Sequence, residues 1–257
     1  MKKHRWFAAL AAMVMVLAVA GCSDGSSGNE FATGSSGGSG NSSGSGVDNP
    51  VSQQPDYSNC VVGDFVLKDG TILSKDETPE SGTVAAVIVR AAADGKPALG
   101  VGIVHNEMAW CTESAAGYSK YITALQGGKT KGYMDGSDGW KILKAACSDA
   151  ESNPENYPAW NYSLTYAETN GLIGDLAKGW YLPTVAELYT IYQNKTAVDA
   201  SLSKAGGSIF NESWYWSCCQ DPSSINFARV LFFDDGDMLD LTKNINYTYI
   251  CSVRAFN

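Results

Sequence analysis

Histidine is almost missing from this chain. The two present are His4, in a leader-like N-terminus, and His105. A histidine-based metal centre therefore lacks ligands, and a Ser or Cys triad would have to rest on His105 alone. His105 reads instead as a polar residue at a strand end. Charge is also scarce, at 18% of residues, and the formal net charge is -9. That balance repels nucleic acid and anionic lipid over much of the surface, so neither is expected as the main partner. There is no internal repeat, no heptad pattern and no second apolar span. No enzymatic activity and no cofactor are expected.

The one apolar run lies at the start. Lys2, Lys3 and Arg5 form a positive region, and Trp6 to Ala20 are too few to cross a bilayer comfortably. The run ends in Val19-Ala20-Gly21-Cys22, which resembles the lipobox of bacterial lipoproteins. Residues 1–21 are thus expected to be a lipoprotein signal peptide and Cys22 the lipidated residue. Acyl chains there contribute roughly 0.8 kcal/mol per buried methylene, holding the N-terminus at a membrane. From Cys22 to Pro55 the composition turns to Ser, Gly and Asn. Such a stretch buries too little to offset its ordering entropy and reads as a disordered stalk with a reach on the order of 30 Å. The expected localisation is export, with lipid anchoring at the outer membrane and exposure at the cell surface.

Residues 56–257 suffice for one domain with a substantial core, and the chain holds 7 Trp and 13 Tyr. Val61 to Leu67 and Thr71-Ile72, around Asp69-Gly70, read as a hairpin. Thr83 to Ala91 and Leu99 to His105 read as central strands. Ser114 to Gln126 reads as a loop with a short helix, Trp140 to Ala150 as a helix broken at Asn156 to Trp160, and Tyr162 to Thr169 as a further helical segment. The clearest local signal is Gly179-Trp180-Tyr181-Leu182-Pro183-Thr184, where Thr184 and Glu187 form a capping box for a helix over Val185 to Gln193. After Gly206-Gly207 the chain reads as short strands and long connections.

Period-two alternation places Ala228, Val230 and Phe232 inward and Arg229, Leu231 and Phe233 outward. Asp234, Asp235, Asp237, Leu239, Asp240, Tyr247 and Tyr249 add acceptors and amphipathic rings, a composition suited to recognition. The competing reading is a two-sided core strand followed by a solvated acidic turn. Calcium is disfavoured, because the acidic cluster lacks EF-hand spacing. The Glu-Pro-Asn and Gln-Pro-Asp triplets of sugar-binding lectins are absent too. Cys60, Cys111, Cys147 and Cys251 allow one or two disulfides in an exported protein, or buried thiols in a reducing one.

Gly179 to Thr184 with Glu187-Leu188, then Trp214-Tyr215-Trp216-Ser217, then Ala228, Val230, Phe232 and Gly236, and finally Val253-Arg254-Ala255-Phe256 carry a resemblance. Together they are similar to C-type lectin-like domains of the formylglycine-generating-enzyme subtype. More narrowly, they resemble bacterial surface lipoproteins diversified by retroelements, of the Treponema variable protein type. The resemblance implies an α+β C-type lectin-like fold, with a small antiparallel sheet, flanking helices and a long irregular C-terminal excursion. It also implies a variable region at about 210–257, whose adenine-directed mutagenesis rewrites a face for an unknown protein or cell-surface ligand.

Asn codons so changed never yield Trp, Glu, Lys, Gln or Met. Between Cys218 and Cys251 only Gln220, Met238 and Lys243 fall outside the reachable set. A monomer is expected. The alternative is an exported enzyme of the formylglycine-generating type, with Cys218-Cys219 in place of that family's paired cysteines, or an invariant structural surface lipoprotein.

Overall fold

The computed structural model describes residues 55–257. The expected signal peptide, Cys22 and nearly all of the stalk lie outside them. Among the described residues no helix is long and apolar enough to cross a membrane.

The architecture is α+β. One sheet has the order β2-β1-β3-β4-β11-β6, formed by Ile72–Leu73, Phe65–Leu67, Val84–Arg90, Ala98–Gly102, Val253–Phe256 and Trp180–Tyr181, all neighbours antiparallel. The second has the order β5-β10-β7-β8-β9, formed by Asn106–Glu107, Tyr249–Ile250, Trp214–Trp216, Phe227–Phe232 and Met238–Thr242. Here β10 runs parallel to β7 and the other pairs are antiparallel. The helices are α1 (Gly139–Ala146), α2 (Pro158–Leu164), α3 (Tyr166–Thr169), α4 (Val185–Gln193) and α5 (Lys195–Lys204).

The hairpin and both central strands form, but β1 begins only at Phe65 and β4 ends at Gly102, short of the expected Val61 and His105. Strand β3 is covered on both faces: Val87 and Val89 enter the larger core, while Ala86 and Ile88 enter a smaller one with Tyr166, Trp180 and Phe256. Glycine in β4 makes the smaller core possible. A Cβ on Gly100 would lie 2.6 Å from the Phe256 ring, and one on Gly102 would lie 2.3 Å from Tyr166. The larger core is aromatic, with Trp110 edge-on to Trp160 at 5.3 Å and Phe210 stacked on Phe233 at 4.4 Å.

Several boundaries differ from the sequence reading. The break near Pro158 is a short turn at Pro154–Asn156, after which Pro158 opens α2, because proline's missing N–H costs nothing in a first turn. The helix expected before Gln126 is only a single turn, Thr123–Leu125. None of the six described cysteines is bridged; all are buried thiols. The capping box at Thr184 is present: Glu187 N–H donates to Thr184 Oγ1 at 3.1 Å and Thr184 N–H donates to Glu187 Oε2 at 2.8 Å.

Candidate ligand-binding face

Strands β7, β8 and β9 pair in register. Trp214 lies opposite Phe232, Tyr215 opposite Leu231 and Trp216 opposite Val230, while Val230 faces Leu239 and Arg229 faces Asp240. Opposed residues share a sheet face, so Trp214, Phe232, Val230 and Leu239 lie on one side and Tyr215, Leu231, Arg229 and Asp240 on the other.

This arrangement corrects part of the alternation. Leu231 is 0% exposed and Phe233 is 1% exposed. Phe233 packs among Phe210, Tyr215 and Tyr192, with ring centroids 4.4, 4.7 and 6.2 Å away. Period-two reasoning assumes one wet face; here α4 packs against β8, and Val230 and Leu231, which point to opposite faces, are both buried. Neither side chain reaches a ligand from this position. Phe232, expected inward, is half-buried and stacks on half-buried Trp214 at 4.4 Å and 23°. The apolar element open to solvent is therefore the Trp214–Phe232 pair with Leu239, which is 49% exposed.

The acidic residues form the β8–β9 turn. Gly236 has φ +76°, and a Cβ there would come 2.4 Å from Tyr192 Cε1. Asp237 N–H donates to Asp235 Oδ1 at 2.8 Å, and Gly236 N–H to the Phe232 carbonyl at 2.8 Å. Asp234, Asp235 and Asp237 are exposed, and Asp237 lies 4.0 Å from the Lys129 ammonium. Among the described residues no group of three or more His, Cys, Asp or Glu converges on a point that could hold a metal ion. Tyr247 is 69% exposed. Tyr249 is half-buried, stacked on Tyr215 at 5.4 Å, and sits in β10 with β7 and β8 between it and β9. The two tyrosines therefore belong to a different part of the surface from Leu239.

Arg229 is tied down rather than free. Its Nη1 donates to the Gly127 carbonyl at 2.7 Å, its Nη2 pairs with Asp221, and its Nε stands 3.6 Å from Asp240 Oδ1, too far for a hydrogen bond. Burial raises the Asp240 pKa, and the Arg229 charge opposes that rise. Arg229 also lines a cleft of about 590 Å³ together with Thr123, Ala124, Gln126, Gly127, Gly128, Lys131, Gly132 and Tyr133. Lys131 and the already paired Arg229 are the charged groups of this lining, a setting suited to a polar group. The reading of the sequence missed it; Gly127-Gly128 with Gly132 was the available signal.

His105 is buried just beyond β4, where the sequence places a strand-end residue. Its Nδ1 lies 3.3 Å from the Tyr215 hydroxyl and its Nε2 has no partner. Burial pushes its pKa down to about 3. Cys218 and Cys219 are both 0% exposed. Burial drives the Cys218 thiol pKa up, while the hydrogen bond from that thiol draws Cys219 down.

No protein-family model matches the chain, and no curated protein matches its sequence. In three dimensions it is similar to the crystal structure of a fimbrial protein from Bacteroides ovatus, with a TM-score of 0.57 and 11% identity, over 77% of this chain and 49% of that one. The chain thus spans about half the length of that neighbour, and what the two share is an α+β fold.

Proposed function

We propose that this is a surface-displayed, lipid-anchored binding protein with a C-type lectin-like domain, whose β8–β9 rim, beside an invariant Trp214 on β7, is the face rewritten by retroelement-directed adenine mutagenesis. The observation that carries the reading lies between Cys218 and Cys251. The residues that adenine mutagenesis cannot produce there point inward: Gln220 and Lys243 are fully buried, and half-buried Met238 places its sulfur 3.4 Å from Arg229 Nη1. The exposed positions, Pro222, Ser223, Ile225, Asp234, Asp235, Asp237, Leu239, Asn246 and Tyr247, all carry residues that it can produce. A division of this kind suits a fixed frame with a changeable rim. The rim's stacked aromatics, aliphatic surface and carboxylates have the mixture found in paratopes.

The occupant is an unidentified protein or cell-surface ligand, with the membrane engaged only through the N-terminal lipid. Burial of Cys218 and Cys219 supports recognition over the enzymatic alternative, since an outside substrate has no route to either sulfur. Two experiments test the reading. Sequencing the neighbouring DNA should reveal a near-copy of the C-terminal coding segment, differing only at adenines, beside a reverse transcriptase gene; finding neither ends the diversification claim. Separately, the protein and its Phe232→Ala and Leu239→Asp variants should be screened on arrays of glycans and extracellular-matrix proteins. Binding lost in the variants at unchanged Tm supports the rim, whereas binding retained by both places recognition elsewhere.

A further inference from the structure

Lys243 follows β9 and is fully buried. No carboxylate neutralises it among the described residues; its ammonium is met by backbone oxygen instead. Nζ donates to the carbonyls of Gly117 at 2.7 Å, Ile225 at 2.7 Å, Lys120 at 2.8 Å and Tyr118 at 3.2 Å. It also lies 5.1 Å from the centroid of the Trp110 ring, whose face attracts a cation. An ammonium has three protons, so four oxygens within 3.2 Å outnumber its donors. A shell of carbonyl dipoles in place of water is how proteins hold bare monovalent cations. We propose that these four carbonyls form a monovalent-cation site built into the fold, with the Lys243 ammonium as its tethered resident ion.

The donor set decides the class of ion. A divalent hard cation takes about six to eight oxygens, several of them carboxylate, whereas this cage offers neutral carbonyls alone. Potassium and ammonium fit its chemistry better than calcium or magnesium. The oxygens come from two stretches far apart in sequence, 117–120 and Ile225, and Gln220 Nε2 reaches the same Lys120 carbonyl at 3.3 Å. The resident charge therefore pins two loops to the end of β9, at the border of the face described above. This inference holds whether or not that face binds a ligand.

Removing the tether should leave the site open to a free ion. Thermal unfolding of the full chain carrying Lys243→Ala, compared in potassium, ammonium, sodium and choline chloride at equal ionic strength, reads this directly. In choline its Tm should fall by on the order of 10 °C relative to the parent. Potassium or ammonium should restore it by about 4 °C per tenfold increase in concentration. Lys243→Met fills the space with a neutral chain and should lose stability with no rescue by any salt. Equal Tm values for Lys243→Ala in all four salts, or a Lys243→Met protein as stable as the parent, would overturn the proposal. If Lys243→Ala does not fold in any salt, 15N-lysine NMR of the parent at pH 7 decides. A slowly exchanging, charged Nζ signal that disappears in Lys243→Arg supports the resident ion, and a neutral amine rejects it.

Discussion

At the scale of single residues, burial separates side chains that the sequence cannot tell apart. Leu231 and Leu239 are both aliphatic members of neighbouring strands, yet one is 0% and the other 49% exposed. Leu231→Ala should cost about 2–5 kcal/mol, while Leu239→Ala should change stability by no more than about 0.5 kcal/mol. Urea unfolding of the two variants checks the assignment. His105 offers a second test. Its pKa is pushed down to about 3 from an ordinary 6.5, so the unfolded chain binds the extra proton first as pH falls. Its contribution is present above pH 6.5 and drains away between 6.5 and 3, by about 2 kcal/mol at pH 5. Replacing it with Gln should flatten the urea midpoint over that range; an unchanged slope would assign acid sensitivity to other groups.

Elements carry their own logic. The helix α4 was legible because its signal is local: Thr184 and Glu187 satisfy each other's backbone donors, and neither needs a distant partner. Thr184→Ala should cost about 1–2 kcal/mol, towards the upper end for a cap because Glu187 is also buried, and circular-dichroism melting measures it. The two-sided burial of β8 was not legible. Alternation reports one dry face, and the covering of the second depends on α4, which the strand's own residues do not encode. The same holds for the parallel pairing of β10 with β7 and for the Lys243 cage, whose four oxygens come from other segments. Helix α5 lacks a strong apolar stripe, and its sequence gave little warning of it. The β8–β9 turn is more constrained than its acidic composition suggests. Gly236→Ala would need a left-handed backbone and collide with Tyr192, so a loss of about 1–3 kcal/mol is expected in the same melting assay.

The whole molecule is dense in buried groups that ionise in alkali. Burial pushes the Cys60 thiol up to about 11, and Cys111 and the Tyr162 phenol up to about 12, from ordinary values of 9 and 10. Folded-state pKa values above the unfolded ones mean a stabilisation that is complete below pH 9 and lost as pH rises towards 11–12. Lys243, which burial pushes down to about 8, acts in the opposite sense up to its ordinary 10.5, one group against several. The urea midpoint should therefore fall steadily above about pH 9, and a midpoint that climbs there would contradict these burials. Topology adds a consequence for how the fold is reached. Strand β11 lies between β4 and β6, and its Val253 pairs with Val101, so no shorter N-terminal stretch of the chain can close the first sheet. Strands β2, β1, β3 and β4 can pair among themselves, but β6 cannot join them until β11 is in place. The main sheet therefore keeps an open seam between β4 and β6 until that final pairing arrives, a long-range step of the kind that slows folding.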